Sequence, residues 1–156
     1  MATEIERKFL VLGDDWRTDQ GVRFIQGYLN RDKERTVRVR IVGTQAFLTI
    51  KGINTGATRS EYEYEIPVVD AEELLKICES PLIEKTRHTV AYGGMIWEID
   101  EFHGENEGLI VAEVELQKED QCFELPGWLG QEVTGDARYF NSNLCANPYC
   151  NWRWKK

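Results

Sequence analysis

The sequence predicts an α+β fold, with about eight mostly antiparallel strands and a few flanking helices, in a sheet that either stays open or closes into a small barrel. Three observations carry this. Alternation with a period of two dominates the chain, as in T-V-R-V-R-I-V at residues 36–42 and M-I-W-E-I-D-E-F at residues 95–102. Tight-turn signals, Gly43-Thr44 and Gly93-Gly94, join neighbouring runs. Few stretches switch to a helical period.

In order, residues 4–12 form the first candidate strand, and R-F-I-Q-G-Y-L-N at 23–30 the second. Residues 36–42 alternate cleanly and turn at Gly43-Thr44 into a fourth strand over 45–51. G-I-N-T-G-A-T at 52–58 reads as a loop. A fifth strand follows at 59–67. The period then changes in D-A-E-E-L-L-K-I-C-E, where Asp70 serves as N-cap and Glu73 completes a capping box. Strands resume at 82–92 and 95–102, a loop spans H-G-E-N-E-G, and an eighth strand covers 109–117. K-E-D-Q-C-F-E reads as a short helix, P-G-W-L-G as a loop, and D-A-R-Y-F-N-S-N-L-C-A-N from Asp136 as a helix. The tail carries Trp152 and Trp154 and reads as docked or frayed.

A chain of 156 residues fits a single domain over 1–156 with one sizeable core. Its 42% hydrophobic and 29% charged residues match ordinary water-borne proteins, and no stretch resembles a membrane span or signal peptide, so the expected location is cytoplasmic, away from any membrane. Cys78, Cys122, Cys145 and Cys150 show no zinc spacing and read as reduced thiols. A net charge of −8 argues against general nucleic-acid binding but allows a small anion in a local basic pocket. His88 and His103 are isolated and read as surface or half-buried side chains rather than ligands.

The charges are sorted by strand and by face. A strand points alternate side chains to opposite sides. Glu4, Glu6 and Lys8 therefore share a face, as do Arg38 and Arg40, then Glu61, Glu63 and Glu65. Lys85 and Arg87, Glu98 and Asp100, and Glu113 and Glu115 pair in the same way, and Lys51 ends the fourth strand in phase with Thr49. The opposite stripes are often apolar. One such pair alone means a solvated face. Six sign-sorted pairs allow a second reading, in which the charged stripes line a barrel interior. Paired carboxylates bind hard divalent cations such as Mg²⁺ or Mn²⁺, while Arg and Lys bind phosphate oxygens. That interior would suit a metal–polyphosphate complex.

E-I-E-R-K-F-L-V at residues 4–11 resembles the opening signature, E-x-E-x-K, of the CYTH superfamily, the triphosphate tunnel metalloenzymes. R-V-R at 38–40, Lys51, E-Y-E at 61–63, E-K-T-R at 84–87, E-I-D at 98–100 and E-V-E at 113–115 follow in the expected order. D-A-R-Y at 136–139, with Asn141 and Leu144, resembles the short bacterial members. The resemblance implies an eight-stranded antiparallel barrel forming a closed tunnel, a divalent metal and a triphosphorylated small-molecule substrate. It implies metal ligation by Glu4, Glu6, Glu113 and Glu115, with Glu61, Glu63 and Asp100 holding a second metal or positioning water. It implies phosphate contacts from Lys8, Arg38, Arg40, Lys51, Lys85, Arg87 and Arg138, with Glu4, Glu6, Lys8 and Lys85 as the catalytic set. Tyr28 matches a strand position of similar short members, with no assigned role. The implied reaction is in-line attack of water on a terminal phosphoanhydride of inorganic triphosphate, with nucleoside triphosphates as side substrates. Two alternatives stay beside it: a class IV-type adenylate cyclase, and a non-catalytic module binding polyphosphate or a triphosphorylated nucleotide. A homodimer is also left open.

Overall fold

The computed structural model describes residues 3–18 and 20–152. Five strands come first: β1 (Thr3–Val11), β2 (Val22–Asn30), β3 (Arg35–Val42), β4 (Gln45–Gly52) and β5 (Thr58–Ile66). Helix α1 (Val68–Lys76) precedes β6 (Ile83–Tyr92), β7 (Met95–Phe102) and β8 (Ile110–Glu115). A short β9 (Leu129–Glu132) and helix α2 (Asn141–Ala146) end the chain. Among the described residues no helix is long and apolar enough to cross a membrane.

Eight strands close into an antiparallel barrel in the order β1, β5, β4, β3, β2, β6, β7, β8 and back to β1. Hairpin turns at Gly43 and Gly93-Gly94 need positive φ, which glycine adopts without strain. The seam lies at β1. One edge of β1 pairs along Glu6–Leu10 with β8. The other edge is shared: Thr3, Glu4 and Ile5 pair with β5, and Phe9 and Val11 pair with β9. The added β9 satisfies the backbone groups that β5 leaves uncovered as the barrel splays, including Val133 N–H to Lys8 O at 2.8 Å.

The largest apolar packing lies outside the barrel. Phe9, Trp97, Ile99, Ala112 and Val114 alternate with lumen residues and form an outer cluster with Trp16, Leu116 and Trp128. Segments before β2 and after β8 cover it. Helix α1 covers a second outer patch through Ala71, packed with Val39 and Ala46. The third cluster stoppers one end of the barrel. Ile83, Phe102 and Val111 occupy lumen-facing phase beyond the charged residues, and Val133, Tyr139, Leu144 and Trp152 pack onto them. The C-terminal segment thus turns the barrel into a blind lumen.

Several local expectations are corrected. Helix α1 starts at Val68 with Pro67 as N-cap and no side-chain cap, so Asp70 and Glu73 form no capping box. Proline supplies a fixed φ and needs no N–H partner there, and Asp70 lies in the first turn beside the helix dipole. Residues 118–124 form a turn and extended chain, not a helix. The helix expected from Asp136 is a 3₁₀ turn, Ala137–Tyr139, and a separate α2, broken at Phe140. Strand β9 falls in a stretch read as loop. His88 is buried, neither at the surface nor half-buried, with Thr18 Oγ1 3.0 Å from its Nδ1. Trp154 lies outside the described residues.

Trp97 is fully buried and meets Phe9, Phe123 and Trp128 edge-to-face with ring centroids 5.6–5.8 Å apart. Replacing it by Ala removes the centre of the outer cluster, and urea unfolding should show a loss of about 3–5 kcal/mol.

Candidate functional site

Strand phase brings the sign-sorted stripes into one lumen. Among the described residues its lining carries seven carboxylates (Glu4, Glu6, Glu61, Glu63, Glu98, Glu113, Glu115) and seven cations (Lys8, Arg38, Arg40, Lys51, Arg59, Lys85, Arg87). Opposite charges neutralise one another at several points of the lumen. Lys51 Nζ lies 3.1 Å from Glu4 and 3.6 Å from Glu61. Lys8 Nζ lies 3.3 Å from Glu113 and donates to Tyr139 O at 3.1 Å. Arg38 Nη2 donates to Thr49 Oγ1, which donates on to Glu63, both at 3.1 Å. Such pairing offsets the desolvation that buried charges would otherwise suffer.

Toward the stoppered end, Asp100 anchors two cations. It accepts from Lys85 Nζ at 2.7 Å, from Arg87 Nε at 2.8 Å and from Arg87 Nη2 at 3.0 Å. Burial alone would push the Asp100 carboxyl up, but Arg87 and Lys85 reverse this and hold it well below the usual carboxylate range. Burial pulls the Lys85 ammonium down to about 7, against the attraction of Asp100, with Arg87 and Arg40 adding repulsion. Burial, then Arg38 and Arg87, also draw Arg40 down to about 9. Arg40 has neutral partners: its Nε donates to Gln26 Oε1 at 2.7 Å, and its guanidinium lies 4.8 Å from the Phe24 ring centre. An anion arriving there meets an undercompensated positive field.

The carboxylates gather elsewhere. Burial raises Glu6 well above its ordinary value, and Glu113 and Glu4 raise it further. Glu115 is raised by burial and by Glu4, Glu61 and Glu98. Glu113 is the exception, drawn down to about 2 because Lys8 and Arg87 outweigh its burial. Mutual repulsion of oxygen donors is what a hard divalent cation relieves, so the set fits Mg²⁺-type chemistry. Among the described residues, no three Asp, Glu, His or Cys side chains are already drawn together as a metal-holding group.

The profile of the CYTH domain matches residues 2–144 of this chain. The chain belongs to the CYTH domain family. This CYTH chain is 52% identical over 155 residues to an inorganic triphosphatase of Acetivibrio thermocellus, covering 98% of this chain and 99% of that protein. It is 40% identical over 146 residues to an inorganic triphosphatase of Nitrosomonas europaea, covering 91% and 96% respectively. Its fold is similar to the crystal structure of an inorganic triphosphatase, with a TM-score of 0.65 at 38% identity and coverage of 90% and 96%. The CYTH family implies a divalent metal and a small triphosphate substrate.

Within the CYTH lumen the expected residues Glu4, Glu6, Lys8, Arg38, Arg40, Lys51, Glu61, Glu63, Lys85, Arg87, Glu113 and Glu115 all lie on the lining. Two do not. Asp100 has lumen phase but lies beneath Lys85 and Arg87, off the lining, with both oxygens accepting from those two cations. Arg138 lies off the lining, where it pairs with Asp136 at 2.7 Å and rests 5.4 Å from the Trp152 ring centre. Its backbone has left the barrel for the stopper. Sequence reasoning left Arg59 and Glu98 out of the site, although both are in phase with acidic stripes already identified. Thr134 and Asn141 carry no periodic signal because non-strand segments bring them to the lining.

Asp100→Asn leaves Lys85 and Arg87 buried without their shared counter-charge. Urea unfolding at neutral pH should show a loss of about 3–5 kcal/mol, the size expected when one partner of a buried ion pair is removed. A purely metal-ligating Asp100 would leave the metal-free protein at wild-type stability.

Proposed function

We propose that this chain acts as one CYTH domain that hydrolyses inorganic triphosphate to diphosphate and orthophosphate, using Mg²⁺ or Mn²⁺. The observation that carries the reading is a lumen whose described lining residues include seven carboxylates and seven cations. A triphosphate can take over the cations while a divalent cation takes over the carboxylates they release. Ion pairs such as Lys51–Glu4 and Lys8–Glu113 are exchanged for multivalent ones, and the phosphates supply the counter-charge that Arg40 lacks in the protein. The inorganic triphosphatases of Acetivibrio thermocellus and Nitrosomonas europaea support the same substrate, since the likeness spans nearly the full chain.

Glu4, Glu6, Glu113 and Glu115 are the residues that would hold the metal, with Glu61 and Glu63 on β5, the strand beside β1. When bound, the metal supplies Lewis-acid neutralisation of phosphate oxygens. The rest is done by the chain's own cations. Arg38, Arg40, Lys85 and Arg87 bind and align the phosphates, with Arg87 and Lys85 fixed by Asp100. Lys8, held by Glu113 and Tyr139 O, adds positive charge at the same depth. Because these groups are positioned beforehand, they stabilise charge on the transferring phosphoryl group without reorganising. Among the described residues the aromatic rings on the lining are Tyr28, which is buried, and Phe140, so charge rather than base stacking dominates recognition.

Chelator-stripped protein should release no phosphate from inorganic triphosphate, and added Mg²⁺ or Mn²⁺ should restore release well ahead of that from ATP. Glu4→Gln or Glu6→Gln should lower kcat by on the order of a hundredfold, with an unchanged circular dichroism spectrum. Wild-type turnover in both variants would sink the assignment, and cyclic AMP from ATP would redirect it to cyclase chemistry.

A further inference from the structure

Next to the stopper, four side chains form one hydrogen-bonded run. Arg40 Nε donates to Gln26 Oε1 at 2.7 Å. Gln26 Nε2 donates to Asn141 Oδ1 at 3.3 Å. Lys85 Nζ donates to the same Oδ1 at 3.2 Å. A guanidinium and an ammonium have no acceptor atoms. The two cations therefore dictate how both amides face. Gln26 must turn its oxygen to Arg40, which leaves its NH₂ for Asn141. Asn141 must turn its oxygen to both Gln26 and Lys85.

That arrangement settles where the other corner of the Asn141 carboxamide goes. Asn141 lines the lumen, and among the described residues its Nδ2 donates to no protein acceptor. Its backbone is anchored at the first residue of α2, just ahead of Leu144 and Cys145 in the stopper. Gln26 is fully buried, so the lock is rigid. The result is a neutral NH₂ donor beside Lys85 and Arg40. Neutrality matters at this depth. Arg38, Arg40, Lys85 and Arg87 already crowd one another, and a further cation would raise that repulsion, whereas an amide adds a donor without charge.

We propose that Asn141 is a further substrate-binding residue of the lumen, whose Nδ2 group donates to an oxygen at the inner end of the phosphate chain, and that Gln26 is the positioning residue that aims it. The proposal rests on the triphosphate reading of the site. It makes the C-terminal segment part of the binding machinery as well as the stopper.

Asn141→Asp provides the sharpest test, because it keeps the acceptor for Lys85 and Gln26 and removes both donors. Asn141→Ala removes donor and acceptor without adding charge, and Gln26→Ala removes only the lock. Turnover of inorganic triphosphate would be followed with Mg²⁺. Affinity for triphosphate would be measured calorimetrically in chelator, where no turnover occurs, and the ligand-free melting temperature recorded. Asn141→Ala should raise KM and Kd about tenfold or more, the loss expected for a hydrogen bond to a charged group, with kcat changed far less. Asn141→Asp should weaken binding at least as much, while melting no lower than wild type because its carboxylate still meets Lys85. Gln26→Ala should raise KM by less than Asn141→Ala. Wild-type KM and Kd in Asn141→Ala would overturn the proposal, and so would Asn141→Asp binding as tightly as wild type. Wild-type protein that binds triphosphate without cleaving it would refute the triphosphatase reading, while the affinity series would still decide the role of Asn141. Wild-type protein that neither binds nor cleaves would refute both.

Discussion

Charges of both signs in a narrow lumen have to be neutralised by something, and the rest of this fold follows from that requirement. An eight-stranded barrel of this kind ordinarily fills its interior with apolar side chains. Here the interior positions carry Glu, Lys and Arg, so the hydrophobic effect has to act on the outer face instead. Trp16, Trp97 and Trp128 gather outside β1, β7 and β8 for that reason. The segments that cover them are what an irregular chain can supply once the strands are spent.

The same requirement explains the stopper. A charged tunnel needs a boundary where the solvent or the protein takes over. At one end lumen-phase positions change from Lys85, Asp100 and Glu113 to Ile83, Phe102 and Val111, and the C-terminal segment packs on these. Asp100 sits at that boundary. Its two cation contacts place a fixed negative charge under Lys85 and Arg87 and keep both cations oriented into the lumen. The lumen therefore has a preset cationic floor, and beside it carboxylates whose burial and mutual repulsion hold Glu6 and Glu115 above their ordinary values.

The seam at β1 shows how the barrel reconciles closure with access. Closing eight twisted strands leaves β1 with more edge than β5 can satisfy. Strand β9 takes up the remainder, and in doing so carries the chain toward Thr134, Gly135 and Asn141 on the lining. Closure, the stopper and the polar end of the lumen are thus one continuous piece of chain.

Much of this was legible in the linear sequence, because side-chain alternation is a local property. Period two put Glu4, Glu6 and Lys8 on one face and Phe9 on the other, and the barrel strands follow the expected runs closely. The sign-sorted stripes allowed a charged lumen beside a solvated face, and each stripe reaches the lumen through at least one residue, though Glu65 and Asp100 are off its lining. What alternation cannot give is height along the barrel or the company each residue keeps there. Asp100 has the phase of a lumen ligand, yet its depth commits it to Lys85 and Arg87. Arg138 stands in a family-like motif, yet the chain has left the barrel by then. Strand β9 is four residues long and owes its existence to an edge of β1 some 120 residues away, as the pairing of Phe9 with Glu132 shows. The sequence by itself determined which face each strand residue occupies, since that depends only on its neighbours in the chain. The tertiary structure decided depth, pairing and the placement of Asn141, since these depend on barrel stagger and on contacts between residues far apart in sequence.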